Sequence, residues 1–167
     1  MAVTASQVHP FPPIFDKDSR ILILGSFPSI KSREVQFFYH HPQNRFWKVL
    51  AGVLGVPVPC TIAEKTAMLH EHHIALWDVI ASCEIAGSSD RSIRNVVPND
   101  FSPILALAPI RAVFCNGAAS YDCYCKYARA SVGLQAKRLP STSPANAAWS
   151  LDALVGAWLE ILPWLET

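Results

Sequence analysis

Residues 20–25 read RILILG, an apolar stretch that decides which kind of fold the chain can adopt. Successive side chains of a strand point to opposite faces, and here hydrophobic residues occupy both sets of positions. Strands that are buried on both faces belong to parallel sheets covered by helices. The stretch therefore predicts a central strand of a covered parallel sheet. It ends at Gly25, where the chain is free to turn sharply.

Similar apolar runs supply neighbours for this strand. They predict further strands at 73–80 (HIALWDVI), at 110–115 (IRAVFC) and, more weakly, at 136–139 (AKRL). Helical patterns lie between and after these strands, at 44–54, 61–72, 100–107, 118–130 and 146–162. Strands that alternate with helices favour right-handed crossovers. We expect an α/β fold, a three-layer α/β/α sandwich around a central, mostly parallel four-stranded sheet.

Size and composition suit one domain of this kind. The chain has 167 residues, 51% of them hydrophobic, and a net charge of +1. We take residues 1–167 as a single domain, with residues 1–19, which contain HPFPPIF, as an extended arm packed on it. A net charge so close to zero means that nucleic-acid binding would depend on a local basic patch. Lys137, Arg138, Arg91 and Arg94 are candidates for such a patch.

Cysteines and histidines do not form a metal-binding pattern that we favour. The five cysteines are odd in number and no signal peptide precedes them, which predicts reduced thiols in a cytoplasmic protein. Cys123 and Cys125 lack a second close pair, so buried thiols are favoured over a zinc or iron–sulfur site. The histidines of HEHH (70–73) suit the end of a helix better than a ligand set. No apolar run is long enough to span a bilayer.

Four predicted strands end in segments that suit a binding site. Sites in open parallel sheets lie beyond the carboxyl ends of the strands. Gly, Ser, Pro and Asn, which expose backbone amides and small polar groups, are abundant there. We expect these ends to converge on one face: GSFPS (25–29), 78–82, Asn116-Gly117 and PSTSPAN (140–146).

Each polar segment has a structural alternative beside a functional one. GSFPS is either a turn or a set of amides that holds a carbonyl or an anion. In FYHHPQN (38–44), Tyr39 either packs or stacks on a planar ligand, and Asn44 either caps the next helix or takes part in chemistry. Asn116 either forms a turn or pairs with the lactam edge of a base.

Asp78 and PSTSPAN pose the same choice. An aspartate among apolar residues must find hydrogen bonds, and we favour loop amides as its partners over a place in the site. The hydroxyls of PSTSPAN either cap a helix or bind phosphates, with Lys137 and Arg138 adding charge just upstream.

Five motifs in this order resemble the uracil-DNA glycosylase superfamily. GSFPS stands where many members carry GINPG, and HPQNRFW (41–47) looks like their HPxNRFW stretch. The nearer resemblance is to the hypoxanthine-DNA glycosylase (DNA-deoxyinosine glycosylase) group, which carries GSFPS, HPxNRFW, ALWDVI, Asn-Gly after the third strand and LPSTSPAN. It covers roughly residues 18–163.

Two positions depart from the uracil-excising members. Phe27 stands where GINPG enzymes place a water-orienting asparagine. Leu139 stands where many members place the histidine of His-Pro-Ser, which stabilises the leaving uracil. The resemblance implies that Asn44 and Asn116 take over these roles in the hypoxanthine group, so we do not expect strong uracil excision.

The resemblance implies a monofunctional enzyme of base excision repair that flips a deaminated base, chiefly hypoxanthine, out of DNA and hydrolyses its N-glycosidic bond. The predicted catalytic residues are Asn44, which holds the attacking water, and Asn116, which reads the lactam edge. The predicted base-binding residues are Gly25, Ser26, Phe27, Pro28, Ser29, Phe38, Tyr39 and Asp78. The predicted DNA-binding residues are Lys137, Arg138, Ser141, Thr142, Ser143, Pro144 and Asn146, with residues 144–146 as a wedge.

This interpretation requires no metal and no cofactor. It predicts a monomer that binds damaged DNA, without a membrane, in the cytoplasm of a bacterial or archaeal cell. Two alternatives stay open: a mismatch-type uracil or thymine glycosylase, and a non-catalytic module that binds damaged DNA. A hydrolase with a nucleophilic cysteine lacks support, because no cysteine has a histidine or helix N-terminus convincingly beside it.

Overall fold

Seven strands form two sheets within residues 4–166, the range that the computed structural model describes. The strands are β1 (Ala5–Val8), β2 (Ile21–Gly25), β3 (Ile74–Asp78), β4 (Ile80–Ile85), β5 (Arg94–Pro98), β6 (Ala112–Asn116) and β7 (Ala136–Leu139). Four of them, in the order β3-β2-β6-β7, form the predicted parallel sheet. The other three, in the order β1-β4-β5, form an antiparallel sheet that was not predicted.

Helices cover both faces of the parallel sheet, which confirms the three-layer α/β/α fold. One apolar cluster joins Ile21 and Ile23 to Leu50 and Trp158, and a second joins Leu24 on the other face to helical residues. The helices are α1 (Ile30–Val35), α2 (Phe46–Leu54), α3 (Ile62–Glu71), α4 (Ser102–Leu107), α5 (Ala118–Cys123), α6 (Arg129–Val132) and α7 (Leu151–Trp158). A π-helical turn, Tyr124–Ala128, joins α5 to α6, and a 3-10 helix, Leu159–Trp164, follows α7.

The apolar run at 73–80 is two strands, and the prediction of one strand was wrong. β3 ends at Asp78 in the parallel sheet, and β4 starts at Ile80 in the antiparallel sheet. Val79 and Ile80 are fully buried at this corner, so the apolar pattern continues without a break where the chain changes sheets. The corner leaves Asp78 at the carboxyl end of the parallel sheet, beside Gly25 of β2.

The N-terminal arm is extended and packs across the body of the protein. β1 pairs with β4, and Ile14 exchanges backbone hydrogen bonds with Leu76 at 3.0 and 2.9 Å. Residues 1–3 of the predicted arm lie outside the described residues. The arm therefore brings His9 to the end of β3, next to Asp78.

The last helix starts five residues later than predicted, at Leu151 rather than at residue 146. The hydroxyl of Ser150 caps it by accepting a hydrogen bond from the backbone N–H of Ala153 at 3.1 Å. Residues 140–149 thereby remain a loop at the end of β7. None of the helices in residues 4–166 combines the length and the apolar character needed to cross a bilayer.

Candidate active site

The ends of all four parallel strands border one cavity of about 370 Å³. This volume lies within the range of roughly 300–1,000 Å³ typical of small-molecule sites. Most of the predicted site residues line the cavity: Gly25, Ser26, Phe27, Pro28, Ser29, Phe38, Tyr39, Asn44, Asp78, Asn116, Ser141, Thr142, Ser143 and Pro144. His41 and Asp90, which were not predicted, also contribute to its wall.

A second, more open cavity of about 530 Å³ lies next to the loop 141–146. Arg138 and Asn146 line it, together with Trp149, whose side chain is exposed. Lys137 has a different setting: its Nζ lies 3.1 Å from the Glu160 carboxylate and over the ring of Trp164. Neighbouring residues of a strand point to opposite faces, so Lys137 and Arg138 extend to opposite sides of β7.

Thr142 links the two predicted catalytic carboxamides. Its backbone N–H donates to Asn116 Oδ1 at 3.0 Å, and its Oγ1 accepts from Asn116 Nδ2 at 3.0 Å and donates to Asn44 Oδ1 at 2.9 Å. A backbone N–H can only donate, so it fixes which end of the Asn116 amide faces Thr142 and thereby the direction of each bond. Thr142 is fully buried, which corrects its predicted role: its hydroxyl orders this network and does not reach a phosphate.

The oxygen of the Asn44 side chain is already fully used. Besides the Thr142 hydroxyl, Oδ1 accepts from the backbone N–H of Phe46 at 3.0 Å, at the first residue of α2. Both lone pairs of the carbonyl oxygen are thereby engaged. Asn44 thus helps to start the helix, and its Nδ2, which has no hydrogen-bond partner within residues 4–166, remains available to the cavity.

Asn116 makes two hydrogen bonds to Thr142, one at each end of its amide. They engage one lone pair of Oδ1 and one N–H of Nδ2, and the other lone pair and the other N–H have no partner in these two bonds. Asn116 thereby positions Thr142 and, through it, Asn44. That Asn116 also reads a lactam edge stays a prediction.

Arg45 holds the loop 140–149 against the start of α2, and sequence reasoning did not single it out. Its guanidinium donates to the carbonyls of Ser143 at 3.3 Å, of Asn146 at 3.1 Å and of Trp149. Its backbone N–H donates to the carbonyl of Thr142 at 3.1 Å. The HPQNRFW motif therefore ties the helix that bears Asn44 to the loop that bears Thr142. The sequence contained one signal for this role of Arg45: it directly follows Asn44 within the same motif.

Replacing Arg45 by lysine is expected to loosen this loop, because an ammonium group does not reproduce a planar fork of five N–H donors. We expect a loss of about 1–3 kcal/mol in the free energy of unfolding and faster amide hydrogen exchange across 141–149. Urea denaturation and exchange measured by mass spectrometry test this. Arg129→Lys, at an exposed position on α6, is the matched control. Unchanged loop protection in the Arg45 variant would contradict the assignment.

The start of GSFPS has no room for a side chain at Gly25. A Cβ there would collide with Asp78 Oδ1 and lie 2.9 Å from the Tyr39 hydroxyl. Hydrogen bonds hold the rest of the segment in place. Ser26 Oγ donates to Asp90 Oδ1 at 2.7 Å, and Ser29 Oγ accepts from the Ser32 backbone N–H at 3.2 Å. Glycine is required here for the close approach of these two side chains.

The partner of Asp78 is His9, not the loop amides that were favoured. His9 Nε2 lies 2.7 Å from Asp78 Oδ2, and the two side chains are only 3% and 5% exposed. His9 is packed among aromatic rings, with Phe11 at 4.5 Å and Phe27 at 6.0 Å between ring centroids. Because the pair joins residues 69 apart through the unpredicted β1–β4 contact, no local pattern indicated it.

The three aromatic residues predicted to stack on a base differ in exposure. Tyr39 is half-buried, and one face of its ring stacks on Phe46 at 4.1 Å between centroids. Phe38 and Phe27 are 2% and 8% exposed. The guanidinium of Arg33 lies 5.5 Å above the Phe27 ring. Packing therefore fixes these rings at the cavity wall, and Tyr39 has the largest solvent-exposed fraction of the three side chains.

The cysteines do not provide an activated nucleophile. Burial raises the pKa of the Cys115 thiol to about 12 and that of Cys123 to about 11, so both stay protonated at neutral pH. Only a thiolate is an effective nucleophile. Cys83 and Cys115 are buried as expected, Cys123 and Cys125 are half-buried, and Cys60 is exposed, which corrects the expectation of buried thiols at that position.

Comparisons with known proteins agree on the family and the fold of this chain. Residues 12–162 match the family model of the uracil DNA glycosylase superfamily. The Hypoxanthine DNA glycosylase of Methanosarcina acetivorans is 35% identical over 144 residues, 84% of this chain and 89% of the relative. That of Methanosarcina barkeri is 34% identical over 152 residues, 90% and 94% of the two chains. A solution NMR structure from M. acetivorans, assigned provisionally as a uracil DNA glycosylase, has a TM-score of 0.75 and 30% identity, covering 91% of this chain and 96% of that one.

A polar cavity at the carboxyl ends of this parallel sheet, in a chain with these relatives, defines a DNA glycosylase. The chain belongs to the uracil DNA glycosylase superfamily. The family and the fold predicted from the five motifs are confirmed.

Proposed function

We propose that this protein is a monofunctional DNA glycosylase that removes hypoxanthine from deoxyinosine in DNA during base excision repair. The supporting observation is the hydrogen-bonded chain from Asn116 through Thr142 to Asn44 along the wall of one cavity. The names of the two relatives point to the same base. The proposal includes action as a monomer in the cytoplasm, without a metal or a cofactor.

The substrate base has to leave the duplex before it can enter the cavity. Rotating a nucleotide out of the stack costs a few kcal/mol, and least for a base that pairs poorly, as hypoxanthine does. Pro144 and Ala145 are exposed at the rim of the cavity, on the loop that Arg45 holds. These two residues are the wedge that occupies the vacated position in the stack.

Hydrolysis then needs a placed water and little acid–base chemistry. The C1′–N9 bond breaks through an oxocarbenium-like sugar, and its electrons leave with the base. Asn44 Nδ2 donates to the oxygen of the attacking water and leaves its second lone pair directed at C1′. One proton of the water ends on the departing base or in solvent. The products are free hypoxanthine and an abasic site.

Positive charge for the DNA backbone comes from Arg138 rather than from Lys137. Arg138 is exposed and lines the cavity beside the loop 141–146, whereas Lys137 pairs with Glu160. We expect Arg138→Ser to weaken binding of DNA of any sequence and to reduce the slope of log affinity against log salt by about one. Lys137→Ser, one residue away, should leave both quantities unchanged. Equal effects of the two variants in a fluorescence titration would contradict this assignment.

Side-by-side excision assays on duplexes that contain inosine, uracil or xanthine test the proposed function. We expect free hypoxanthine and an alkali-sensitive abasic site from the inosine duplex, with weaker release of uracil. Faster release of uracil than of hypoxanthine would instead favour a mismatch-type uracil glycosylase. Binding with no abasic product from any duplex would favour a non-catalytic module and refute the proposal.

A further inference from the structure

The floor of the cavity contains polar atoms that the mechanism above does not use. The Tyr39 hydroxyl is buried and makes no hydrogen bond of ordinary geometry within residues 4–166, although the Asn116 side chain is near enough to act on its pKa. Leaving a buried polar group without a full partner is unfavourable, so such a group in a folded protein needs an explanation. Tyr39 also has a positive φ of 51°, which is uncommon for a bulky residue and occurs preferentially at functional sites.

Asp78 offers a matching acceptor beside this donor. The hydrogen bond with His9 occupies Oδ2, and Oδ1 has no partner in the described part of the chain. Oδ1 and the Tyr39 hydroxyl both lie within 2.9 Å of the point where a Cβ of Gly25 would stand. A glycine at this position keeps the space between the two groups open.

The two groups can play complementary hydrogen-bonding roles toward a lactam. Burial, together with the charge of the nearby Asp78 carboxylate, raises the pKa of the Tyr39 phenol above its usual range, so the hydroxyl keeps its proton and can donate. An ionised carboxylate only accepts. The hydrogen bond from His9 holds Asp78 in place and draws charge away from the carboxylate, which limits the repulsion of a departing base that carries negative charge.

We propose that Tyr39 and Asp78 read the lactam edge of the flipped base, with the Tyr39 hydroxyl donating to O6 and Asp78 Oδ1 accepting from N1–H. The inference rests on the proposed function and assigns selectivity for the hypoxanthine lactam to these two residues. Adenine presents the reverse pattern, an N6 donor and an N1 acceptor, and the repulsion between its N1 lone pair and the acceptor-only Asp78 Oδ1 disfavours it. Guanine shares the lactam edge, and its protection comes from its stable pair with cytosine and from its additional 2-amino group.

The test compares two substrates in four proteins. Deoxynebularine has a purine ring without O6 and without N1–H, so the ratio of inosine to nebularine excision measures lactam recognition alone. Single-turnover rates are measured for the native protein, Tyr39→Phe, Asp78→Ala and Gln43→Ala, the last an exposed control in the same loop as Tyr39. We expect each of the first two variants to reduce the ratio by about tenfold or more, since a site built to bond a polar group strongly rejects analogues that lack it.

A second measurement separates recognition from folding. Tyr39→Phe removes a buried hydroxyl that makes no hydrogen bond of ordinary geometry within residues 4–166, so its melting temperature should equal or exceed that of the native protein while the ratio falls. An unchanged ratio in both variants, with inosine still excised, would refute the inference and leave the proposed function intact. Absence of excision by the native protein would refute the proposed function itself.

Discussion

Asn44→Ala is expected to lower the single-turnover rate of hypoxanthine release by about 100-fold or more, the usual effect of removing a group that positions or stabilises the reacting atoms. Nδ2 of Asn44 is the part of this side chain without a protein partner in residues 4–166, and Asn44 lines the cavity. Quantifying free hypoxanthine from an inosine duplex by mass spectrometry checks the prediction.

Stability and binding measurements separate this chemical role from a structural one. The variant loses two hydrogen bonds of Oδ1, so a lower melting temperature is expected, but circular dichroism and affinity for the inosine duplex should remain close to native. Gln43→Ala, at the exposed neighbouring position, should keep full activity. A fully active Asn44→Ala protein would remove Asn44 from the mechanism.

Thr142→Val is expected to cost about 1–3 kcal/mol of unfolding free energy and about 10–100-fold in excision rate. Valine has nearly the same shape, but it leaves Asn116 Nδ2 without an acceptor and Asn44 Oδ1 without one of its two donors. The buried polar groups are then unsatisfied, and Asn44 is free to turn away from the water. Chemical denaturation and single-turnover kinetics give the two quantities.

Thr142→Ser is the matched variant, because it keeps the hydroxyl and removes only a methyl group. It should retain most of the activity. The effects of Thr142→Val and Asn116→Ala on the excision rate should also be far from additive, since both act on Asn44 through the same chain of hydrogen bonds. Additive effects, or a serine variant as slow as the valine variant, would contradict the claim that Asn116 acts on Asn44 through Thr142.

Strong local patterns made the parallel sheet and the position of the cavity predictable. Ile21–Gly25 is apolar on both faces, and Gly25, Asp78, Asn116 and the segment after β7 stand at strand ends, where parallel sheets place their sites. A single sequence was therefore enough to indicate which strand ends lie at the same edge of the sheet. The family followed from five motifs in order, and the comparisons confirm it.

Contacts between distant segments were not predictable from local patterns. The hydrogen bond of Asp78 with His9 depends on the pairing of β1 with β4. The corner at Val79, where β3 ends and β4 begins, lies within an unbroken apolar run, so the sequence pattern does not reveal it. The sequence also gives residue types but not the direction of a carboxamide. The backbone N–H groups of Thr142 and Phe46 fix that direction, because each donates to the Oδ1 of Asn116 or of Asn44.

The structure of a complex with duplex DNA that contains 2′-fluoro-deoxyinosine tests the central claim most directly, because the fluorine disfavours the oxocarbenium state and preserves the substrate. We predict hypoxanthine turned out of the stack into the cavity between Gly25 and Thr142, with C1′ facing a water held by Asn44 Nδ2. An inosine that stays stacked in the duplex, or a base bound outside this cavity, would contradict the account.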